Sequence, residues 1–519
     1  MPEPVILRSP YPDVAIPDAS VTEYVLGPAA GSSSVALIDG PTGDRTAYGE
    51  LVGLVSAASR TLAGLGVARG DVVALMSRNQ PAYVTAFHGA VALGAAVTPL
   101  NPMLTAHEAT EQVGDSGARV VVVDDATIGK GNEVADAVGA ALVVLDDDWP
   151  GPAGGDLPSR PDDFDPATEL AVLPYSSGTT GRAKGVMLSH RNVVACLAEM
   201  HPMWPYSEGD VVCAVLPMFH SYGLNVIMNL ALASGSTIVT LPRFDIEGYL
   251  GAIERYGVTR LHLAPPTVLV LATSEAVARF DLSSVRWAVS GAAPLDAELA
   301  ARFEQRIGVP IVQGYGMTEA SPGTHLIPER DQHRAPPGSV GWLQPNTEAR
   351  LVSPESGEDA AEGEIWVRGP QVMLGYLDDP EATAATLTED GWLRTGDIGR
   401  AVDGVFFVVD RLKELIKYKG YQVAPAELEA LLLTHPSVAD AAVVPMSHAE
   451  GGEAPRAFVV AVGPLDADEL MAWVAERVAP YKRIRAVEFI EQIPKSPSGK
   501  ILRRVLRDEW KEGSWAPRS

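Results

Sequence analysis

Cysteine is nearly absent. The 519 residues hold two, Cys196 and Cys213, both inside apolar segments. That excludes a disulfide framework and predicts buried free thiols. Positive charge is also short, with 40 Lys and Arg against 66 Asp and Glu, a net charge of −26. This balance argues against general nucleic-acid binding, and an anionic substrate would have to be drawn in by local donors. No long unbroken apolar run occurs. The most apolar stretch, 83–100, is interrupted by His88, Gly89, Gly94 and Pro99, so it reads as a buried helix running into a strand, not a membrane span. Residues 1–10 lack a basic region followed by an apolar run; no signal peptide is expected, and the protein is expected in the cytoplasm. Low-complexity tracts and short-period repeats are missing. So are a G-x-G-x-x-G at a strand–helix junction and a G-x-S-x-G elbow, which removes the fingerprints of a dinucleotide fold and of a serine hydrolase.

What is present centres on 175–185, Y-S-S-G-T-T-G-R-A-K-G. Short apolar runs at 170–174 and 186–188 flank it, so two small strands are expected around a loop. Glycines let backbone N–H groups crowd towards an anion, Ser176, Ser177, Thr179 and Thr180 add hydroxyls, and Lys184 adds a compact positive charge. Ser, Thr and Gly also build linkers, but linkers rarely carry strand-like runs against both ends. The Walker spacing fails because Lys184 follows Ala183 and precedes Gly185. The loop reads as a polyphosphate cradle of another kind.

A chain this long exceeds one core, so two or more packed units are expected. Alternating patterns predict strands at 35–38, 71–76, 95–99 and 119–123 and helices at 46–66, 80–93 and 107–116. This alternation argues for a parallel α/β sheet covered on both faces. Residues 147–166 read as a surface loop, and Ser189 as the N-cap of a helix over 191–200. An apolar strand over 212–217 precedes His220 and Tyr222. A lone histidine is usually a satisfied core residue, but the end of a strand in an α/β sheet is where ligands bind. The pattern repeats with a strand at 237–241, a helix at 246–256 and strands at 260–263 and 287–290. The turn Gly291-Ala292-Ala293-Pro294-Leu295 would let a flat ring approach, although tight packing explains its small residues equally well.

The block 311–322, I-V-Q-G-Y-G-M-T-E-A-S-P, ends a strand in an aromatic flanked by glycines. Tyr315 could stack on a base, Thr318 offers a hydroxyl and Glu319 a hard oxygen ligand suited to Mg²⁺. From 363 the texture becomes β-rich, with segments at 364–367, 391–398 and 404–409. Asp397, in T-G-D, is either a ribose acceptor or a turn aspartate. Lys413, Lys417 and Lys419 in a β-like run would ordinarily mark a solvated face. A helix over 426–433, strands at 441–444 and 456–462 and a helix at 466–478 follow. Lys500 sits in P-K-S-P-S-G-K, read as an exposed loop tip.

The motifs S-S-G-T-T-G-R-A-K-G, S-G-A-A-P-L, Y-G-M-T-E, T-G-D, D-R-x-K-E and P-S-G-K occur in the order of the adenylate-forming superfamily, and the chain resembles its CoA ligases over essentially its whole length. Through L-P-M-F-H-S-Y-G-L-N and K-E-L-I-K-Y-K-G-Y-Q-V-A-P-A-E-L-E it is most similar to the 4-coumarate/cinnamate-CoA ligases. The resemblance implies an α/β fold: a large N-terminal domain over 1–411, with parallel sheets and a small β-rich subdomain, and a mobile α/β lid over 412–519, hinged at Lys413. It implies ATP, Mg²⁺ and coenzyme A, a small carboxylic acid as substrate, a monomer or homodimer, and neither nucleic acid nor membrane as partner.

By the same resemblance, Ser176, Ser177, Gly178, Thr179, Thr180, Gly181, Lys184 and Thr318 grip phosphates, and Glu319 holds Mg²⁺. Gly291, Ala292, Ala293, Gln313, Gly314, Tyr315 and Gly316 border the nucleotide, and Asp397 and Arg411 hold its ribose. Lys500 bridges carboxylate and α-phosphate, His220 orients the adenylate, and Lys417 and Gln422 serve thioester formation with CoA near Lys419 and Gly420. Ser221, Tyr222, Gly291, Gly314, Gly316 and Pro322 match acid-pocket positions, where glycines leave room for a flat ring. Ser221 departs from the larger aliphatic residue usual in the plant enzymes, and Arg182-Ala183 from their Leu-Pro. A fatty acyl-CoA ligase, or an enzyme that activates another oxyanion or passes the adenylate to an amine, remains a competing reading. A peptide-synthetase domain would place aspartate beside Phe219, where His220 stands.

Overall fold

The computed structural model describes residues 5–177, 183–412, 414–418, 421–448, 452–496 and 499–509. Contacts divide the chain into two compact units. One comprises 1–5, 350–366 and 394–519; the other comprises 6–349 and 367–393.

The larger unit is built on two mixed sheets. In the first, Leu170–Val172, Ala96–Pro99, Val72–Met76, Val120–Val123 and Ala141–Val144 run parallel in that order, and Ala183–Ser189 joins antiparallel to Leu170–Val172. The parallel strands Val72–Met76, Val120–Val123 and Ala141–Val144 are almost wholly Val, Leu and Ala, as strands covered on both faces are. The second sheet has six parallel strands: Ile311–Gly316, Trp287–Ser290, Arg260–Leu263, Val211–Ala214, Thr237–Thr240 and Val35–Asp39. Antiparallel strands extend it at both ends. Its core gathers Leu250, Ile253, Leu261, Leu263, Val268 and Phe303.

Helix starts follow local chemistry. Ser189 and Asn192 form a reciprocal cap on His190–Met200, as Thr105 and Glu108 do on Ala106–Ser116. The expected strand over 212–217 stops at Ala214. There Asn79 Nδ2 donates to the carbonyls of both Ala214 and Leu216, at 2.9 Å each, and its Oδ1 accepts from Met218 N–H, so a side chain replaces the ladder. Beyond it, Tyr222–Asn229 winds with the wide i→i+5 pattern before Leu230–Ala233. Cys196 and Cys213 are buried free thiols.

The smaller unit contains the antiparallel pair Leu393–Val402 and Val405–Arg411, which sets Asp397 opposite Arg411. It also contains a sheet in the order Tyr421–Val423, Ile416–Tyr418, Gly452–Ala461, Val438–His448, with Ala486–Phe489 pairing parallel to Gly452–Ala461. Helices Pro425–Leu433 and Ala467–Ala475 pack Leu428, Leu432, Leu470 and Val474 into its core. The strands expected at 441–444 and 456–462 are parts of this longer hairpin. No helix among the described residues is long and apolar enough to cross a membrane.

Candidate active site

The strands Tyr175–Ser177 and Ala183–Ser189 pair antiparallel, with Ser176 opposite Lys184. Gly178, Thr179, Thr180 and Gly181, between them, lie outside the described residues. Ser176 Oγ donates to Glu319 Oε1 at 2.9 Å, and Tyr376 Oη donates to the same oxygen at 3.0 Å. Glu319 is buried, and its carbonyl accepts from Met373 N–H at 2.9 Å. Lys184 Nζ lies 5.0 Å from the centroid of the Tyr376 ring. Burial, then the Glu319 carboxylate, pushes the Tyr376 hydroxyl far above the usual tyrosine range, so it stays a donor. A lysine, two hydroxyls and one carboxylate therefore share a corner of the larger unit.

Glu319 is the group that could hold a divalent cation. Among the described residues no cluster of three or more His, Cys, Asp or Glu could hold one unaided. A single hard carboxylate fits Mg²⁺, which keeps waters and takes its other ligands from substrate phosphates.

A second group gathers at carboxyl ends of the parallel strands, where α/β sheets bind ligands. His220 Nδ1 accepts from Tyr222 N–H at 3.3 Å. The Tyr222 ring lies against Gly291: a Cβ there would stand 2.8 Å from Tyr222 Cε1. A Cβ on Gly314 would meet Leu326 at 3.0 Å and Trp204 at 3.5 Å, and one on Gly316 would stand 1.9 Å from the carbonyl oxygen of Pro322. Ala292 holds a left-handed φ of 69°, and Gln313 Oε1 accepts from Leu295 N–H at 2.8 Å, tying the turn to the neighbouring strand end. Ser221 is buried; Thr318 opens the short turn of helix Thr318–Ala320; Tyr315 packs its ring 5.5 Å from His325.

In the smaller unit, Asp397 is buried and stands 3.4 Å from Arg411 Nε. Lys500 is partly buried beside them, which corrects the expected exposed tip. Burial, and then the Arg411 charge, lowers its pKa to about 8, with Glu414 and Asp397 opposing. Arg503 binds both Glu429 oxygens, at 2.8 and 2.6 Å, and pairs with Glu414. Asp410 accepts from Arg411 N–H at 2.6 Å and Ala426 N–H at 3.0 Å, while burial raises it to about 6. Lys417 and Gln422 pair across a hairpin; Lys413, Lys419 and Gly420 lie outside the described residues.

The family described as AMP-binding enzyme matches residues 29–377, and its C-terminal domain matches 427–500. The chain belongs to the adenylate-forming AMP-binding enzymes. It is 43% identical to 4-coumarate--CoA ligase 5 of Oryza sativa subsp. japonica over 98% of each chain. ATP-bound MatB from Rhodopseudomonas palustris superposes with a TM-score of 0.87 at 29% identity, over 95% of this chain and 99% of that one. The amide bond synthetase McbA from Marinactinospora thermotolerans gives 0.84 at 28%, over 95% and 99%.

Two features escaped the sequence reading. Tyr376 carries no motif signal. Arg260 and His262, on a strand read only as a strand, R-L-H-L, form a buried polar group with Tyr206.

Proposed function

We propose that this chain is an ATP-dependent ligase that converts an aromatic, hydroxycinnamate-like acid to its CoA thioester through an acyl-adenylate. The observation that carries this reading is the near-full-length likeness to the rice 4-coumarate enzyme, joined to a Ser176–Glu319–Tyr376 corner suited to phosphate. It works in the cytoplasm as a monomer or homodimer.

In the first half-reaction a carboxylate oxygen attacks the α-phosphorus of ATP, and the bond to the β-phosphate bridging oxygen breaks to release pyrophosphate. Charge builds on phosphoryl oxygens, so fixed donors and cations lower the barrier. Ser176, Thr318 and Lys184 bind the phosphates. Glu319 would hold Mg²⁺, whose charge neutralises theirs when bound. Asp397 accepts from the ribose hydroxyls beside Arg411, Tyr315 and the 291–293 turn flank adenine, and Lys500 supplies positive charge to the carboxylate and α-phosphate. In the second half-reaction the CoA thiolate attacks the acyl carbon and AMP leaves, with Lys417 and Gln422 serving this step. Tyr222, Gly291, Gly314, Gly316 and Pro322 enclose the acid, and His220 orients its adenylate.

The test is mass-spectrometric product analysis with ATP, Mg²⁺ and CoA across cinnamates, benzoates and fatty acids. A hydroxycinnamoyl-CoA with stoichiometric AMP is expected. AMP without thioester would overturn CoA as the acceptor, and preference for a fatty acid would overturn the aromatic assignment.

A further inference from the structure

Tyr222 is joined at its hydroxyl to a histidine outside every motif in the chain. His262, on the strand Arg260–Leu263, is fully buried. Its Nδ1 lies 3.3 Å from Tyr222 Oη, and its Nε2 hydrogen-bonds Tyr206 Oη. Trp204 and Trp287 stand edge-on to the imidazole, each 6.4 Å away between centroids. Arg260 lies 4.5 Å from the Tyr206 ring centroid and is held by Asp210 at 2.9 Å and Glu329 at 2.8 Å.

Burial, aided by the Arg260 charge, holds the His262 pKa down to about 3, so the ring is neutral. A neutral imidazole has one N–H donor and one acceptor nitrogen. Two hydroxyls face it, so one tyrosine donates to the ring and the other accepts from it. Tyr206 decides which. Both hydroxyls are buried and, among the described residues, His262 is the hydrogen-bond partner of each. The Tyr222 hydroxyl meets the acid in the proposed placement whereas Tyr206 does not, so an Nε2–H would leave the Tyr206 hydrogen without an acceptor, at the full cost of desolvating a donor. Tyr206 therefore donates to Nε2, the ring proton sits on Nδ1, and Nδ1–H donates to Tyr222 Oη. Tyr222 already receives a hydrogen, so its own O–H turns away from His262.

We infer that His262 fixes Tyr222 as a hydrogen-bond donor in the acid pocket, so that the enzyme selects aromatic acids carrying an acceptor oxygen at the ring end remote from the carboxylate. This rests on the proposed placement of Tyr222 beside the acid. His262 is a positioning residue, and Tyr206 sets its tautomer.

The test compares 4-methoxycinnamate with 4-ethylcinnamate, which match in shape and differ by one acceptor oxygen. Thioester formation should favour the methoxy acid by about fivefold in kcat/KM, the weight of one neutral hydrogen bond. Tyr222→Phe should bring that ratio to about one. His262→Met, an acceptor without a donor, should lower it through KM of the methoxy acid, and His262→Asn, which keeps an N–H in the place of Nδ1, should restore it. Nitrogen-15 NMR of the wild-type enzyme should find His262 protonated on Nδ1, a readout that needs no variant to fold. Equal use of both acids, or protonation on Nε2, overturns the inference while the ligase reading stands. No product from either acid overturns both.

Discussion

Ser176 Oγ and Glu319 Oε1 lie 2.9 Å apart although 143 residues separate them in the chain. The bond joins the strand Tyr175–Ser177 to the Y-G-M-T-E block, and Tyr376 adds a second hydroxyl to the same oxygen. Two donors hold the carboxylate in one orientation before any ligand arrives, and that kind of preorganisation lowers barriers.

Glu319→Gln keeps an acceptor for Ser176 and Tyr376 but removes the charge. ATP–pyrophosphate exchange should fall by about 10²- to 10³-fold while the melting temperature stays close to that of the wild type. A matching collapse of stability would mean that Glu319 is structural.

Lys500, with its pKa lowered to about 8, is charged below that pH and neutral above it. With its positive charge serving adenylation as proposed, kcat/KM for that half-reaction should decline as pH rises through about 8. Lys500→Arg should flatten the alkaline limb. A profile that Arg leaves unchanged would assign the limb to another group.

The two half-reactions should separate by mutation. Lys500→Ala should abolish adenylate formation and spare CoA transfer to a preformed acyl-adenylate, whereas Lys417→Ala should do the reverse. Rapid-quench assays of each step decide, and equal losses in both would contradict the division of labour.

Glu199 is fully buried on the helix His190–Met200, and neither carboxylate oxygen has a hydrogen-bond partner among the described residues. Burial, with Asp13 adding to it, pushes its pKa well above the usual carboxylate range. The folded state thus keeps a proton that the unfolded chain releases above its ordinary pKa, and stability falls as pH rises from there through the folded pKa. Glu199→Gln should remove this slope. Melting curves should show its advantage growing from pH 5 to pH 8; a constant difference would refute the assignment.

The strands at 260–263 and 287–290 and the helix at 246–256 were legible because apolar period and flanking turn residues agree there. The strand after residue 211 was overextended, since an apolar run does not reveal that Asn79 captures its carbonyls from 135 positions away. Lys500 read as exposed because a Gly/Ser loop is locally solvated; its burial, and the charges of Arg411, Glu414 and Arg503 that act on it, arrive only with the tertiary fold. His262 stayed hidden for the same reason, its partners lying 56 and 40 residues upstream.

The backbone pressed against Tyr222 has an evolutionary reading. Gly291 has already surrendered every side-chain atom, and so has Gly314, so any amino-acid substitution at either position adds bulk. An alanine at 291 would push on the Tyr222 ring, and one at 314 would crowd Leu326. With the acid placed against these glycines as proposed, drift at the two sites would narrow the enzyme's diet and not broaden it. If Tyr222 borders the acid as proposed, new room for larger acids has to come from side chains such as Tyr222 itself, and His262 ties that ring to a proton arrangement that resists casual change. Descendants of this sequence should therefore specialise more readily than they generalise.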